Sequence, residues 1–363
     1  MNGLFIVTGG GTGGHLYPAL SVACEARKRR PDQPLLYIGG DSPAERRKVE
    51  KLGIPFQSYP LRGLRRHRIL QNFGILLEHA KATARIKRIL NAAPTGIVFG
   101  VGGYASAPAV LAARIARWPI VLHEQNSYPG VVNRWFSKYA RAICITYEEC
   151  KSYLSGPQPI LTGLPIRPEV LPPEGWNRSE HLNNPPCILV LGGSQGARSL
   201  VETVLDTSLR MDEMNYPYRM VLQTGERNQD IAETFPPRSH VSAPAFIEDM
   251  ASVYKSADLL ICRAGAATLA EAAAWQLPAI LVPLPTSTGN HQMKNALHYQ
   301  RTGRAHVIAQ GDLNRDLLFH AIFRILEDDS RRKSMIVGMA SQADLQAHVK
   351  IMDVIESVAG GLS

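Results

Sequence analysis

Cysteine is scarce in this 363-residue chain: Cys24, Cys144, Cys150, Cys187 and Cys262, with no CxxC pair and no His/Cys cluster. That spacing gives neither a disulfide framework nor a structural zinc site, and it fits reduced thiols. No apolar run approaches the ~18 residues of a transmembrane helix, so no membrane span is expected. Met1-Asn2-Gly3 leads straight into a strand pattern, so no signal peptide is expected either. Aromatic residues, 7% of the chain, are not interleaved with the basic ones, and no nucleic-acid-binding signature is present. Nucleic acid is therefore not an expected partner. A Walker lysine, a GxSxG elbow and a metal-spaced His/Asp cluster are all missing. No metal and no cofactor are expected.

Glycine is plentiful, and two clusters of it stand out. Leu4-Phe5-Ile6-Val7-Thr8 reads as a buried strand entering Gly9-Gly10-Gly11-Thr12-Gly13-Gly14, with His15 where a helix begins. Cys187–Leu191 enters Gly192-Gly193-Ser194-Gln195-Gly196 in the same way. Glycine lets backbone approach a ligand and reach φ > 0. The N–H groups at the following helix start are a seat for phosphate. One such turn is common in α/β proteins that bind nothing. Two, each opening its half, point to two nucleotide-fold domains.

Strand patterns over Pro34–Gly39, Gly96–Gly100 and Ile120–His123 alternate with helical ones over Leu16–Arg29, Ala44–Lys51, Phe73–Leu90 and Ala107–Ala116. The alternation restarts with strands at Ile188–Leu191, Arg219–Gln223, Leu259–Cys262 and Ala279–Val282. The expected fold class is α/β, with parallel sheets covered by helices on both faces. The expected domains are 1–163, a proline-rich linker over 164–186, 187–345, and a C-terminal helix over 346–363 packing back on the first domain. Ligands of such sheets bind outside the carboxyl ends of the strands. The loops there are Gly100–Tyr104, His123-Glu124-Gln125-Asn126 and Arg263–Thr268, so the chemistry is expected in a cleft between two carboxyl edges.

The formal charge of +9 is uneven. Residues 1–165 hold 22 Lys and Arg against nine Asp and Glu, whereas 166–363 hold 18 against 22. The densest cluster is Arg62, Arg65, Arg66 and Arg68, followed by Ile69, Leu70, Phe73 and Leu77, then Arg85, Lys87 and Arg88. Cationic and apolar groups side by side suit an interfacial element on anionic headgroups, or equally a solvated loop before an amphipathic helix.

In the second half, Ser194 and the neighbouring N–H groups can hold phosphate, and Arg167 adds a fixed cationic fork. Glu271 can accept from both hydroxyls of a ribose, or can simply be a carboxylate near a helix start. A dinucleotide fingerprint fits poorly, because the acid expected about 20 residues after the glycines is missing and Asp41 comes too late. That weakens a nicotinamide oxidoreductase. An epimerase would want several carboxylates, and a non-catalytic nucleotide-sugar-binding subunit stays open.

The order and spacing of Gly9–His15, Gly100–Tyr104, Leu122–Asn126, Gly163–Arg167, Gly192–Arg198, Phe246–Met250 and Arg263–Glu271 resemble the MurG family along nearly the whole chain. The resemblance implies a GT-B fold, two Rossmann-like domains facing across a cleft. It implies inverting, metal-independent transfer of N-acetylglucosamine from UDP-N-acetylglucosamine to the 4-hydroxyl of N-acetylmuramic acid in lipid I, giving lipid II for peptidoglycan. The implied donor residues are Thr12, Gly13, Asn126, Arg167, Ser194, Ile247, Ala266, Ala267, Thr268, Glu271, His291 and Gln292. His291 stands where the family usually carries the first of two glutamines. The implied acceptor residues are Gly10, Gly11, Gly14, Gly102, Gly103 and Tyr104. His15 is the implied base, or alternatively a helix-start histidine that only binds, with Glu124 as a second catalytic residue. An anionic membrane surface and cell-wall synthesis proteins are the implied partners, at the cytoplasmic face of the cell membrane. Another GT-B nucleotide-sugar enzyme, a lipid glycosyltransferase with a different acceptor or an epimerase, is the nearest alternative.

Overall fold

The computed structural model describes residues 3–11, 13–64, 69–192 and 197–361. It divides into two compact units, one of residues 1–167 with 344–363 and one of residues 168–343.

The first unit is built on β1 (Leu4–Thr8), β2 (Leu35–Gly40), β3 (Phe56–Tyr59), β4 (Gly96–Gly100), β5 (Ile120–Glu124), β6 (Ala142–Ile145) and β7 (Ile160–Leu161). Their order in the sheet is β3-β2-β1-β4-β5-β6-β7, and every neighbouring pair runs parallel. Its helices are α1 (Gly13–Arg29), α2 (Pro43–Lys51), α3 (Ile69–Ala92), α4 (Ala107–Ala116) and α5 (Val131–Phe136). Strand β4 and the first three residues of β5 are apolar, and both strands are almost wholly buried, as inner strands covered on both faces are. Phe5, Val7, Phe99 and Val121 face α1 through Ala19, Val22 and Ala23. On the other face, Ile6, Val98 and Leu122 share a core with Ile86 and Leu90 of α3 and Ala109 and Val110 of α4.

The second unit repeats the plan. Strands β8 (Cys187–Leu191), β9 (Arg219–Gln223), β10 (Val241–Ser242), β11 (Leu259–Cys262), β12 (Ala279–Leu281) and β13 (Ala305–Val307) take the order β10-β9-β8-β11-β12-β13, again all parallel. Around them lie α6 (Arg198–Glu213), α7 (Gln229–Thr234), α8 (Met250–Ser256), α9 (Ala266–Ala274), α10 (His291–Arg301), α11 (Arg315–Leu326) and α12 (Asp329–Gln342). Side-chain caps from Asp249, Asn314 and Asp328 start α8, α11 and α12.

Strand order reverses between β1 and β4 in the first sheet and between β8 and β11 in the second. Both glycine clusters therefore follow a strand at a switch point, where open parallel sheets leave room for a ligand.

Residues 164–167 belong to the first unit and 168–186 to the second. There the fully buried Arg178 donates to the carbonyls of Tyr254 (2.5 Å), Lys255 (2.7 Å) and Trp275 (3.3 Å). Trp275 in turn donates its indole N–H to Val170 O at 2.7 Å.

The last helix, α13 (Ala347–Gly360), rejoins the first unit against α1. Ile351, Met352 and Ile355 are fully buried in the core of Phe5, Val7 and Ala23. Burial of each such side chain contributes roughly 1.5–3 kcal/mol. Arg29 pairs with Asp353 (2.6 Å) and Glu356 (3.0 Å), half-exposed contacts that add less. All five cysteines are free thiols, four of them buried.

Candidate active site

The turn after β1 holds Gly10 at φ 121° and Gly11 at φ 80°, and the turn after β4 holds Gly102 at 81° and Gly103 at 75°. These values belong to glycine. The two turns also touch. A Cβ on Gly103 would lie 2.9 Å from Gly10 O and 3.3 Å from the His15 ring, and one on Gly11 would meet the Tyr104 ring at 2.6 Å. His15, half-buried in the first turn of α1, is thus seated against the second glycine turn. Thr12 lies outside the described residues.

Beneath the first turn lies a group that sequence reading missed. Glu45 is buried, its Oε2 accepts from Gly11 N–H at 3.3 Å, and its Oε1 fills the space a Cβ on Gly10 would need. Burial raises its pKa, opposed by the N–H groups of Gly11 and Gly40. The signal in the sequence is ambiguous: Ser42-Pro43-Ala44-Glu45 has the spacing of a capping box. Ser42 does accept from Glu45 N–H, at 3.4 Å, but the carboxyl goes to the glycine turn.

The loop after β5 assigns its residues unequally. Glu124, expected to be catalytic, is wholly buried and engaged. Its Oε1 accepts from Asn126 N (3.0 Å) and Nδ2 (3.1 Å), and its Oε2 accepts from Gly130 N (3.0 Å) and Asn133 Nδ2 (2.7 Å). Burial raises its pKa, opposed by these four donors, which also tie the loop together. Asn133, held by Glu124, packs under Gly102, where a Cβ would meet its amide at 2.9 Å.

His123 is buried too. Its Nε2–H donates to Gly163 O at 2.9 Å, and burial pushes its pKa down to about 4 despite that bond, with His15 nearby adding to the drop. It stays neutral at physiological pH and is no base there. Its folded pKa lies below the ordinary 6.5, so the unfolded chain binds the extra proton between these values. Stability is then full above pH 6.5 and falls as pH drops towards about 4. From about pH 7 to about pH 5 the expected loss is about 2 kcal/mol. Urea titrations at both pH values check this, and equal acid sensitivity in His123→Gln would detach His123 from it.

Arg167 packs in the first unit, its guanidinium 4.4 Å from the Tyr17 ring centre. Lys48 lies 4.6 Å from the same ring and donates to the Tyr17 hydroxyl. Two cations therefore stand on the first turn and a half of α1, by the glycines.

In the second unit Gly193, Ser194, Gln195 and Gly196 lie outside the described residues. The start of α9 is described: Gly265 is its N-cap and provides no side-chain bond to the N–H groups of Ala266, Ala267 and Thr268. Such a start suits an anion. Glu271, buried in the middle of α9, accepts from the Tyr254 hydroxyl at 2.9 Å. Ile247 is buried in the loop before α8, next to the exposed Phe246. His291 Nδ1–H donates to Thr288 O at 2.7 Å, which makes Nε2 the acceptor of its neutral ring. Gln292 accepts from Leu284 N–H at 2.9 Å, so its NH2 is the group it can offer a sugar. Among the described residues no three His, Cys, Asp or Glu side chains converge to hold a metal ion.

Residues 5–145 match the model of the glycosyltransferase family 28 N-terminal domain, and 187–352 that of its C-terminal domain. Two relatives carry the name UDP-N-acetylglucosamine--N-acetylmuramyl-(pentapeptide) pyrophosphoryl-undecaprenol N-acetylglucosamine transferase. The protein of Halalkalibacterium halodurans is 36% identical, over 98% of this chain and 99% of its own. That of Desulforudis audaxviator is 34% identical, over 98% of each. The crystal structure of Acinetobacter baumannii MurG superposes with a TM-score of 0.76 at 26% identity, covering 98% of this chain and 99% of that one.

Proposed function

The chain belongs to the MurG family of family 28 glycosyltransferases, with the GT-B fold, and from that premise we propose how its residues divide the reaction. It is a UDP-sugar glycosyltransferase that moves N-acetylglucosamine from UDP-N-acetylglucosamine onto lipid I, giving lipid II. The observation that carries this reading is identity of 34–36% along almost the full chain to transferases named for that reaction. The glycine turns at the switch point of the first sheet support it independently.

The second unit takes the donor. Glu271 accepts from the ribose hydroxyls, the peptide groups at Ile247 meet the uracil, and His291 and Gln292 read the sugar. The start of α9, Ser194 and Arg167 meet the diphosphate. The glycine turns of the first unit, with Tyr104, take the diphosphate of the acceptor, while Thr12, Gly13 and Asn126 line the transferred sugar. The 4-hydroxyl oxygen of muramic acid attacks the anomeric carbon from the face opposite UDP. Its proton passes to His15, the C–O bond to phosphate breaks, and UDP leaves with the electron pair, so configuration inverts. His15 is favoured as base because the neighbouring titratable groups are engaged elsewhere: His123 donates to Gly163 O, Glu124 accepts from four donors, and Glu45 lies beneath the turn and accepts from Gly11 N–H. Charge growing on UDP meets preorganised N–H groups and a guanidinium, which act strongly where water is excluded.

Lipid I is held by a bilayer, and no described helix is long and apolar enough to cross one. The first unit is proposed to meet an anionic cytoplasmic leaflet from outside. Its helix α3 exposes Phe73, Leu76 and Leu77 one turn apart from Lys81, and Arg85 and Arg88 follow on the same helix. Helix α4, packed on α3, exposes Leu111, Arg114 and Ile115. Arg114 and Lys138 there lie over the Tyr139 ring at 4.7 and 5.1 Å. Apolar side chains ringed by cations suit headgroups.

Purified protein with labelled UDP-N-acetylglucosamine and lipid I is expected to yield lipid II without another protein, with UDP-glucose and UDP-N-acetylgalactosamine used poorly. Transfer from either of those in preference, or no turnover without a partner protein, would overturn the assignment.

A further inference from the structure

The hydroxyl of Tyr254 sits where nothing about packing requires one. Tyr254 is fully buried in α8, and a phenylalanine would fill the same space. Its ring is stacked on Trp275, at 6.4 Å between centres and 22° between planes. Its carbonyl is held by Arg178 at 2.5 Å, and Trp275 is itself tied to Val170 O at 2.7 Å. A ring gripped at these points aims its O–H in one direction. It aims at Oε2 of Glu271, 2.9 Å away.

A glutamate must present its carboxylate in one plane to receive two adjacent hydroxyls together, yet the last torsion of a glutamate is broad. A charge-assisted hydrogen bond from a fixed donor removes that freedom. We propose that Tyr254 is a positioning residue for the nucleotide: its hydroxyl holds the Glu271 carboxylate in the plane that receives the ribose diol. This inference rests on the reading that Glu271 binds the ribose. It makes the segment 168–186 part of the donor site's rigidity, because Arg178 holds the Tyr254 main chain and Val170 holds the Trp275 on which the ring packs. The alternative is a hydroxyl that merely satisfies a buried acid.

Calorimetry with UDP and with 2′,3′-dideoxy-UDP on the full chain separates these. Wild type is expected to prefer UDP, and Glu271→Ala to bind the two alike. Tyr254→Phe is expected to lose about tenfold in UDP affinity, the scale of one hydrogen bond to a charged group, and to bind dideoxy-UDP like wild type. The double variant is expected to match Glu271→Ala alone. If Tyr254→Phe weakens both ligands equally, or neither, the hydroxyl has no positioning role, while the ribose reading stands. If the double variant falls well below Glu271→Ala, Tyr254 acts by another route and the proposal fails. If Glu271→Ala still prefers UDP, the ribose reading itself falls and takes this inference with it.

Discussion

His15→Ala is expected to lower kcat by about 100-fold or more, the usual contribution of a positioned general base, while calorimetric affinity for UDP is unchanged. The expectation follows from the company His15 keeps. Gly103 offers its ring a wall without a side chain, and the ring lies at the start of α1 against the glycine turn assigned to the acceptor. The neighbouring His123 is neutral above about pH 4 and spends its N–H on Gly163. Removing the imidazole therefore takes away the group assigned to receive the proton. Steady-state kinetics with lipid I decide it: a loss confined to KM for the acceptor would make His15 a binder and leave the base unassigned.

Replacing Arg62, Arg65, Arg66 and Arg68 together by glutamine is expected to release the protein from phosphatidylglycerol vesicles. Each basic residue near an anionic surface contributes about 1 kcal/mol, screened over about 8 Å at physiological salt. Arg62 is exposed, and Arg65, Arg66 and Arg68 lie outside the described residues. The apolar side chains that follow, Phe73, Leu76 and Leu77, are exposed on α3. Wild-type binding should weaken with salt, and donor affinity in solution should be the same in both proteins, because none of the four arginines is assigned to the donor. Sedimentation of the quadruple variant with vesicles like wild type would move the membrane face elsewhere, with the α4 surface around Arg114 and Lys138 the next to test.

What could be read from residues alone was whatever imposes a backbone requirement. The glycines at 10, 11, 102 and 103 were legible because their conformations exclude other residues. Inner strands such as Gly96–Gly100 and Ile120–Glu124 were legible as apolar runs, within one residue of their observed ends. Edge strands were not: Phe56–Tyr59 mixes polar and apolar residues, and Ile160–Leu161 and Val241–Ser242 are two residues long, too short to show a period. Direction of a side chain was equally hidden. Glu124 and Glu45 are both acids by glycine-rich loops, and only the fold shows the first saturated by its own loop and the second turned beneath residues 34 positions away. Tyr254 was silent for the same reason, since a tyrosine in a short amphipathic helix reads as core.

The return of α13 also sets the order in which the molecule can be completed. The second unit is inserted between Arg167 and Asp344 of the first, and it draws its core entirely from within that insertion. The first unit cannot do the same, for Ile351, Met352 and Ile355 emerge from the ribosome only after the whole insertion has been made. Domains fold as units during synthesis, at about 5–20 residues per second. The later-made half is thus able to close first, while the earlier half waits roughly 9–35 seconds with the apolar side of α1 uncovered. A chain cut short before Ala347 would be left in that waiting state, a substrate for chaperones and proteases in place of an enzyme.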